Sequence, residues 1–187
     1  MKAKFSLLVI AALFCMKMNG QGPGSAVTDL LLSAYSERAY TNDPVTDGQL
    51  DIILGCGIKT PSAMNAQPWK FTVIKDENTM GQIIKDIIPG NVIIIVSGLV
   101  GRDGRTSDFD CGLAAENMFI AAHGLGLGAR IYGSPARTLN ANRDLYQIPE
   151  GYNAIVALRI GNTDKTVDAV SSASPRKQPA EIVNYKK

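Results

Sequence analysis

The chain has 187 residues, enough for one domain around a single core, with 45% hydrophobic and 19% charged residues. A formal net charge of +2 is too small to draw it to nucleic acid or to an anionic membrane surface. There is one histidine, and no GxSxG, HExxH or GxxxxGK pattern, so neither a zinc hydrolase nor a phosphate loop is indicated, and a histidine-assisted nucleophile would rest on His123 alone.

Lys2 and Lys4 precede an apolar run from Phe5 to Met16. The run is shorter than the roughly 20 residues a membrane-spanning helix needs. It reads as a secretory signal peptide over residues 1–20, with the mature domain at 21–187. Lipid attachment at Cys15 is the alternative, and the bulky Phe14 just before it argues against that. The expectation is an exported protein, periplasmic or secreted, with no membrane association once the signal is removed. In an oxidising compartment Cys56 and Cys111 could pair. Their small-residue helical settings, GCG and DCGLAA, favour two buried packing thiols instead.

Thr28 or Asp29 can cap a first helix whose apolar face is Leu30, Leu31, Ala34 and Tyr35. Asp43-Pro44 marks a turn. Thr46, with Gln49 three residues on, makes a capping box for a helix running to about Ile58. Gly55 and Gly57 would let the end of that helix approach a neighbour closely. A strand is expected over Lys70–Lys75, a short helix over Asn78–Ile87, and a strand covered on both faces over Asn91–Ser97. A glycine-rich loop leads to the longest helix, from Asp108 or Asp110 to about Leu125. Its Ala114, Ala115, Met118, Phe119, Ala121 and Ala122 are small or apolar nearly all round, which predicts burial. His123 on this helix reads as a core residue with its hydrogen bonds met. The GLGLG at 124–128 ends a helix instead of joining a strand to one, so it is a weak dinucleotide match. A short extended segment, a minor helix over Leu139–Tyr146 and a strand over Tyr152–Gly161 follow. The basic tail carries one extended apolar patch at Ile182-Val183.

The stretch TPSAMNAQPWKF, Thr60 to Phe71, packs two prolines, two amide side chains and the only tryptophan into twelve residues. Ser62 and Asn65 offer polar groups, backbone N–H groups near Ala63 and Met64 could face a flat heterocycle, and Trp69 fits a core role. An enzyme without an evident acid, base, nucleophile or metal delegates its chemistry to a cofactor. Four segments point further: SERAY…PV at 36–45, TPSAMNAQPWKFTVI at 60–74, DFDCGLAAENMFIAAHGLGLGARIYG at 108–133 and SPRKQPAEIVNY in the tail. Together they resemble the nitroreductase family of FMN-dependent oxidoreductases, over about residues 29–185.

The resemblance implies an α+β fold, a central mostly antiparallel sheet flanked by helices, assembled as an intertwined homodimer with FMN at the subunit interface. The long helix 108–125 would serve a dimer core, and the tail at 180–185 would be an exchanged strand. The resemblance assigns cofactor binding to Ser36, Arg38, Pro61, Ser62, Ala63, Met64, Asn65, Tyr132, Gly133 and Arg176. Arg38 and Arg176 would meet the phosphate, PSAMN would set a backbone N–H near the flavin N5, and Tyr132-Gly133 would cover the other face. Asp110 and Asn117 would fasten the long helix. No side chain is implied as catalytic and no metal is implied. The activity implied is ping-pong transfer of hydride from NAD(P)H to an electron-poor small molecule, a nitroaromatic or quinone. The alternative is an exported flavin-binding protein on the same fold without nicotinamide-driven turnover; a dehalogenase-like reductase would need a longer lid. Ala34 and Ser174 stand where the family often has cations, and only sixteen residues separate Ile74 from Asn91, which implies an open pocket.

Overall fold

The computed structural model describes residues 25–102, 104, 107–168 and 175–186. The signal-peptide reading over 1–20 and the departure at Ser174 lie outside these residues. Strand β2, Val92–Leu99, sets the layout: every residue from Val92 to Gly98 is buried. A strand apolar on both faces needs a layer on each side. Val92, Ile94 and Val96 turn to one core, while Ile93 and Ile95 turn to a second.

The sheet has four strands in the order β1-β2-β4-β3, with β1 at Trp69–Ile74, β3 at Gly128–Tyr132 and β4 at Tyr152–Gly161. Every neighbouring pair is antiparallel. The first core is covered by α2, Asp47–Ile58, and α4, Asp108–Gly124. The second is covered by α3, Glu77–Ile83, by α5, Ala136–Ala141, and by Tyr146 and Ile148. The fold is therefore α+β with an antiparallel sheet between helical layers. Among the described residues no helix is long and apolar enough to cross a membrane.

Local chemistry explains the boundaries. The Thr46–Gln49 capping box forms: the Thr46 Oγ1 accepts from the Gln49 N–H at 3.2 Å, and the Gln49 side chain accepts from the Thr46 N–H at 3.0 Å. A cap of this kind is worth about 1 kcal/mol. Helix α4 buries a stripe of Asp110, Cys111, Ala114, Ala115, Met118, Phe119 and Ala122. It is not covered all round, since Glu116 and Asn117 are exposed and Phe109 is 78% exposed. Trp69 is buried and stacks on Phe71. Both Cys56 and Cys111 are free thiols, and burial pushes Cys111 up to about 12.

Four expectations shift. Helix α1, Ser25–Ser33, begins ahead of Thr28. Helix α3 stops at Ile83 because Ile84 turns extended and enters the second core. The minor helix forms at 136–141, started by Pro135, whose ring presets φ. Asn142 closes it by donating to the Thr138 carbonyl at 2.9 Å, which leaves Tyr146 to pack in the core. The tail is not a strand over 180–185. Gln178 and Glu181 form a capping box around Pro179, and Pro179–Ile182 is one helical turn, α6. Ile182 at its end, and Val183 and Tyr185 beyond it, are exposed.

The two glycines of GCG differ. A Cβ on Gly57 would lie 2.8 Å from the Met118 side chain, so this glycine sets the approach of α2 to α4; one on Gly55 would meet nothing within 4 Å. Gly57→Val is expected to destabilise by about 1–3 kcal/mol through overpacking. Gly55→Ala is expected to stabilise by about 0.5–1 kcal/mol through helix propensity and unfolded-state entropy. Paired thermal unfolding of the two variants checks both signs.

Candidate functional site

The segment 35–41 is laced to the ends of β3 and β4. The Glu37 N–H donates to the Ala129 carbonyl at 3.0 Å, Thr41 N–H to Asn162 and Asp164 N–H to Ala39. Tyr40 bridges to Thr163, and its ring lies 4.0 Å beneath the buried Arg159 guanidinium. Burial raises the Tyr40 hydroxyl well above the ordinary tyrosine range. On this fixed segment Glu37 points inward at 1% exposure, while Ser36 and Arg38 are exposed on either side of it. The Arg38 guanidinium reaches back to the Ser36 carbonyl at 3.4 Å.

Ser36 and Arg176 line one cavity of about 240 Å³. Its apolar wall is Leu31, Ala34, Phe119, Ile120 and Ile131, with Tyr35 and Glu116 at its polar side. Burial holds the His123 imidazole below the ordinary histidine range, and its ring packs edge-on against Phe119 and near Tyr35. Among the described residues the buried Nε2 of His123 has no hydrogen-bond partner.

The stretch Thr60–Gln67 is fastened to α4 at two points. Buried Thr60 donates to the Cys56 carbonyl at 3.3 Å and accepts from the Asn117 amide at 2.8 Å. The Asp110 carboxylate accepts from the Ala63 N–H at 3.2 Å. Within the loop, Ser62 Oγ accepts from the Gln67 N–H at 2.9 Å, and Ser62 O accepts from the Asn65 N–H at 3.0 Å. Met64, Asn65 and Gln67 all have left-handed backbone, with φ of 52°, 55° and 48°. Asparagine tolerates this region; methionine and glutamine are strained there by roughly 1–2 kcal/mol each. Pro61, Ala63, Met64 and Asn65 are exposed, and Met64 is 99% so.

One site expectation needs correction. The Ala63 N–H faces inward to Asp110, so it is not a donor presented to a ligand. Ile131 lines the Ser36–Arg176 cavity, and strand alternation sends Tyr132 to the second core, under the Arg130 guanidinium at 4.7 Å. Gly133 is exposed, its carbonyl accepting from Ala136 at 3.2 Å, with open space where a Cβ would sit.

One protomer thus holds two separate groups of site residues along α4. The loop 60–67 hangs from Asp110 and Asn117, and the Ser36–Arg176 cavity rests on Phe119 and Ile120. The two sets of attachment points adjoin along the helix, since Glu116 lines the cavity and Asn117 holds the loop.

Comparison with known proteins gives this arrangement its family. The family model for nitroreductases matches residues 31–93 and 92–162. The chain belongs to the nitroreductase family. A protein of Archaeoglobus fulgidus, provisionally named NADH dehydrogenase/NAD(P)H nitroreductase, is 28% identical over 143 residues, 71% of this chain and 82% of its own. A provisionally named nitroreductase from Desulfovibrio desulfuricans, crystallised in complex with FMN, superposes with a TM-score of 0.70 at 28% identity, covering 89% of this chain and 98% of that one. A Bacteroides fragilis nitroreductase with bound FMN has the same fold, with a TM-score of 0.70 at 18% identity and coverage of 86% and 98%.

Within this nitroreductase the sequence reading missed Thr60, Glu37, Glu116 and Ile131. Glu37 sits between the two motif residues of SER and carries no periodic signal of its own. Ile131 follows from the strand's alternation once its register is known.

The loop's fastening generates a prediction. Asp110→Ala should speed hydrogen exchange at the Ala63 amide by on the order of tenfold, as expected when a hydrogen bond to a charged acceptor worth about 1.5 kcal/mol is lost. Exchange measured by NMR checks it, with the β2 amides as the unchanged reference.

Proposed function

We propose that this nitroreductase is an FMN-dependent oxidoreductase that passes hydride from a reduced nicotinamide to an electron-poor small molecule, a nitroaromatic or a quinone, by a ping-pong mechanism. The observation that carries the reading is the cavity in which Ser36 and Arg176 meet an apolar wall of Phe119, Ile120 and Ile131. A cation and a hydroxyl beside a hydrophobic surface suit a ligand that joins a phosphate to a flat ring. Glu37, the acid nearest in sequence, has both carboxylate oxygens occupied by donors, so it is turned away from such a ligand.

FMN supplies the hydride chemistry when bound. The chain's own residues then bind and orient. Arg176 and Arg38 offer charge-assisted hydrogen bonds to phosphate, Ser36 a neutral one, and Phe119 and Ile131 exclude water from the adjoining surface. The strained loop 61–65 presents Met64 and the Asn65 side chain outward, supported from behind by Asp110 and Ser62.

A homodimer is part of the proposal. Ile52 and Ile58 on α2, Met64 in the loop and Phe109 on α4 are exposed apolar side chains that a second copy would cover. The Lys2–Met16 pattern supports export, to the periplasm or outside the cell. A second reading, flavin binding without nicotinamide-driven turnover, is favoured by one observation. Ala34 lines the cavity where a cation would help, and Glu116 adds a carboxylate there.

The test is spectroscopic. Residues 21–187 are expected to purify yellow or to take up FMN, and to bleach on anaerobic addition of NADPH or NADH. A colourless protein that FMN cannot reconstitute overturns the flavin reading; a yellow one that neither nicotinamide bleaches favours the second reading. Arg38→Ala should weaken FMN affinity by about tenfold or more, the loss of one charge-assisted bond, and unchanged affinity removes Arg38 from the site.

A further inference from the structure

We propose that Glu37 is a positioning residue that holds Ser36 and Arg38 in place for the phosphate end of the ligand; this rests on the FMN reading above. Glu37 is 1% exposed. Its Oε1 accepts from the Arg38 and Ala39 N–H groups, each at 2.8 Å, and its Oε2 accepts from the Tyr35 hydroxyl at 2.9 Å. Burial, followed by this bond to Glu37, raises the Tyr35 hydroxyl above its ordinary range, so it remains a donor. A carboxylate with three donors is a satisfied internal anion seated in a nest of consecutive backbone N–H groups.

Such a group adds little net stability, because desolvation offsets what the bonds return. What it adds is direction. Two successive amides aimed at one inward oxygen fix the backbone of residues 38 and 39, and the Glu37 N–H fixes the segment to Ala129. With Glu37 locked inward, its two neighbours are exposed on the outer side. Room for it comes from Gly128: a Cβ there would lie 2.4 Å from the Glu37 Cγ. The Glu37 side chain, Gly128 and the Tyr35 hydroxyl form one fitted unit behind the Ser36–Arg38 pair.

Riboflavin lacks only the phosphate of FMN, so the ratio of the two affinities isolates this end of the site. Binding is measured by quenching of flavin fluorescence for the wild type, Glu37→Gln, Glu37→Ala and Tyr35→Phe. Glutamine keeps an acceptor for both amides and a partner for Tyr35, so Glu37→Gln is expected to hold the FMN-to-riboflavin ratio within about twofold of wild type. Glu37→Ala should lower the ratio about tenfold and Tyr35→Phe about threefold, with riboflavin affinity little changed. If Glu37→Ala does not fold, Tyr35→Phe decides the matter, since it deletes one bond and leaves the backbone untouched. Equal losses for both ligands would mean a merely structural role and overturn the proposal, as would an unchanged ratio in the folded variants. A wild type that binds neither flavin overturns the FMN reading itself, whereas a wild type that binds both and variants with an unchanged ratio overturn only the role of Glu37.

Discussion

The contact between α4 and the sheet is the constraint on which the site depends. The inner stripe of α4 is mostly small, with Cys111, Ala114, Ala115 and Ala122 all buried. Small side chains let the helix axis come close to β2 and β4, and Gly57 lets α2 come close to Met118 on the same helix. Both parts of the candidate site then take their positions from α4. The helix supplies Asp110 and Asn117 to the loop, and Glu116, Phe119 and Ile120 to the cavity lining. A displacement of α4 would move both together, which is a different arrangement from a site assembled out of independent surface loops.

The loop shows how that rigidity is used. Met64 and Gln67 sit in left-handed backbone without being glycine. Such conformations persist only where the surroundings over-determine them. Here they are fixed by Thr60 at the base, by Asp110 on the Ala63 amide and by the Ser62 hydroxyl on the Gln67 amide, while Pro68 and buried Trp69 close the far end. The apolar side chain thrust outward by this geometry is Met64, almost wholly exposed. Strain at an exposed apolar residue is useful when the residue meets a ligand or another chain, and wasteful otherwise.

Much of this was legible in the sequence, and the rest was not for identifiable reasons. The continuous apolar run at 91–97, the strand at 152–161 and the Thr46–Gln49 box are local signals, and each produced its element close to the expected bounds. The four ordered motifs were enough to name the family. The rest depends on tertiary context. Whether Tyr132 or Ile131 faces the cavity is decided by the register of β3 on β4. Whether the Ala63 amide faces a ligand or Asp110 is decided by a residue 47 positions away. The Ile182-Val183 patch suggests a strand, but the Gln178–Glu181 box favours a helical turn that takes in Ile182. Neither the left-handed residues of the loop nor the inward carboxylate at 37 has a one-dimensional signature.

Charge at the cavity has to be judged by what each group is bonded to, not by counting residues. Two acids lie close to the candidate phosphate site in sequence or in space, Glu37 and Glu116. They act oppositely. Glu37 is sealed, and the dipoles of two amides and a hydroxyl already converge on it, so its field outside the segment is largely compensated. Glu116 is exposed on α4 and lines the cavity with Arg176, where solvent screens its repulsion of an anion to a small value at an effective dielectric near that of water. Ala34 contributes no charge, Arg176 lines the cavity, and Arg38 lies outside the lining with its guanidinium on the Ser36 carbonyl. On the function proposed above, an anion there would depend on few cations, and an internal carboxylate that fixes the backbone beside Arg38 would place it without presenting its own charge to the ligand.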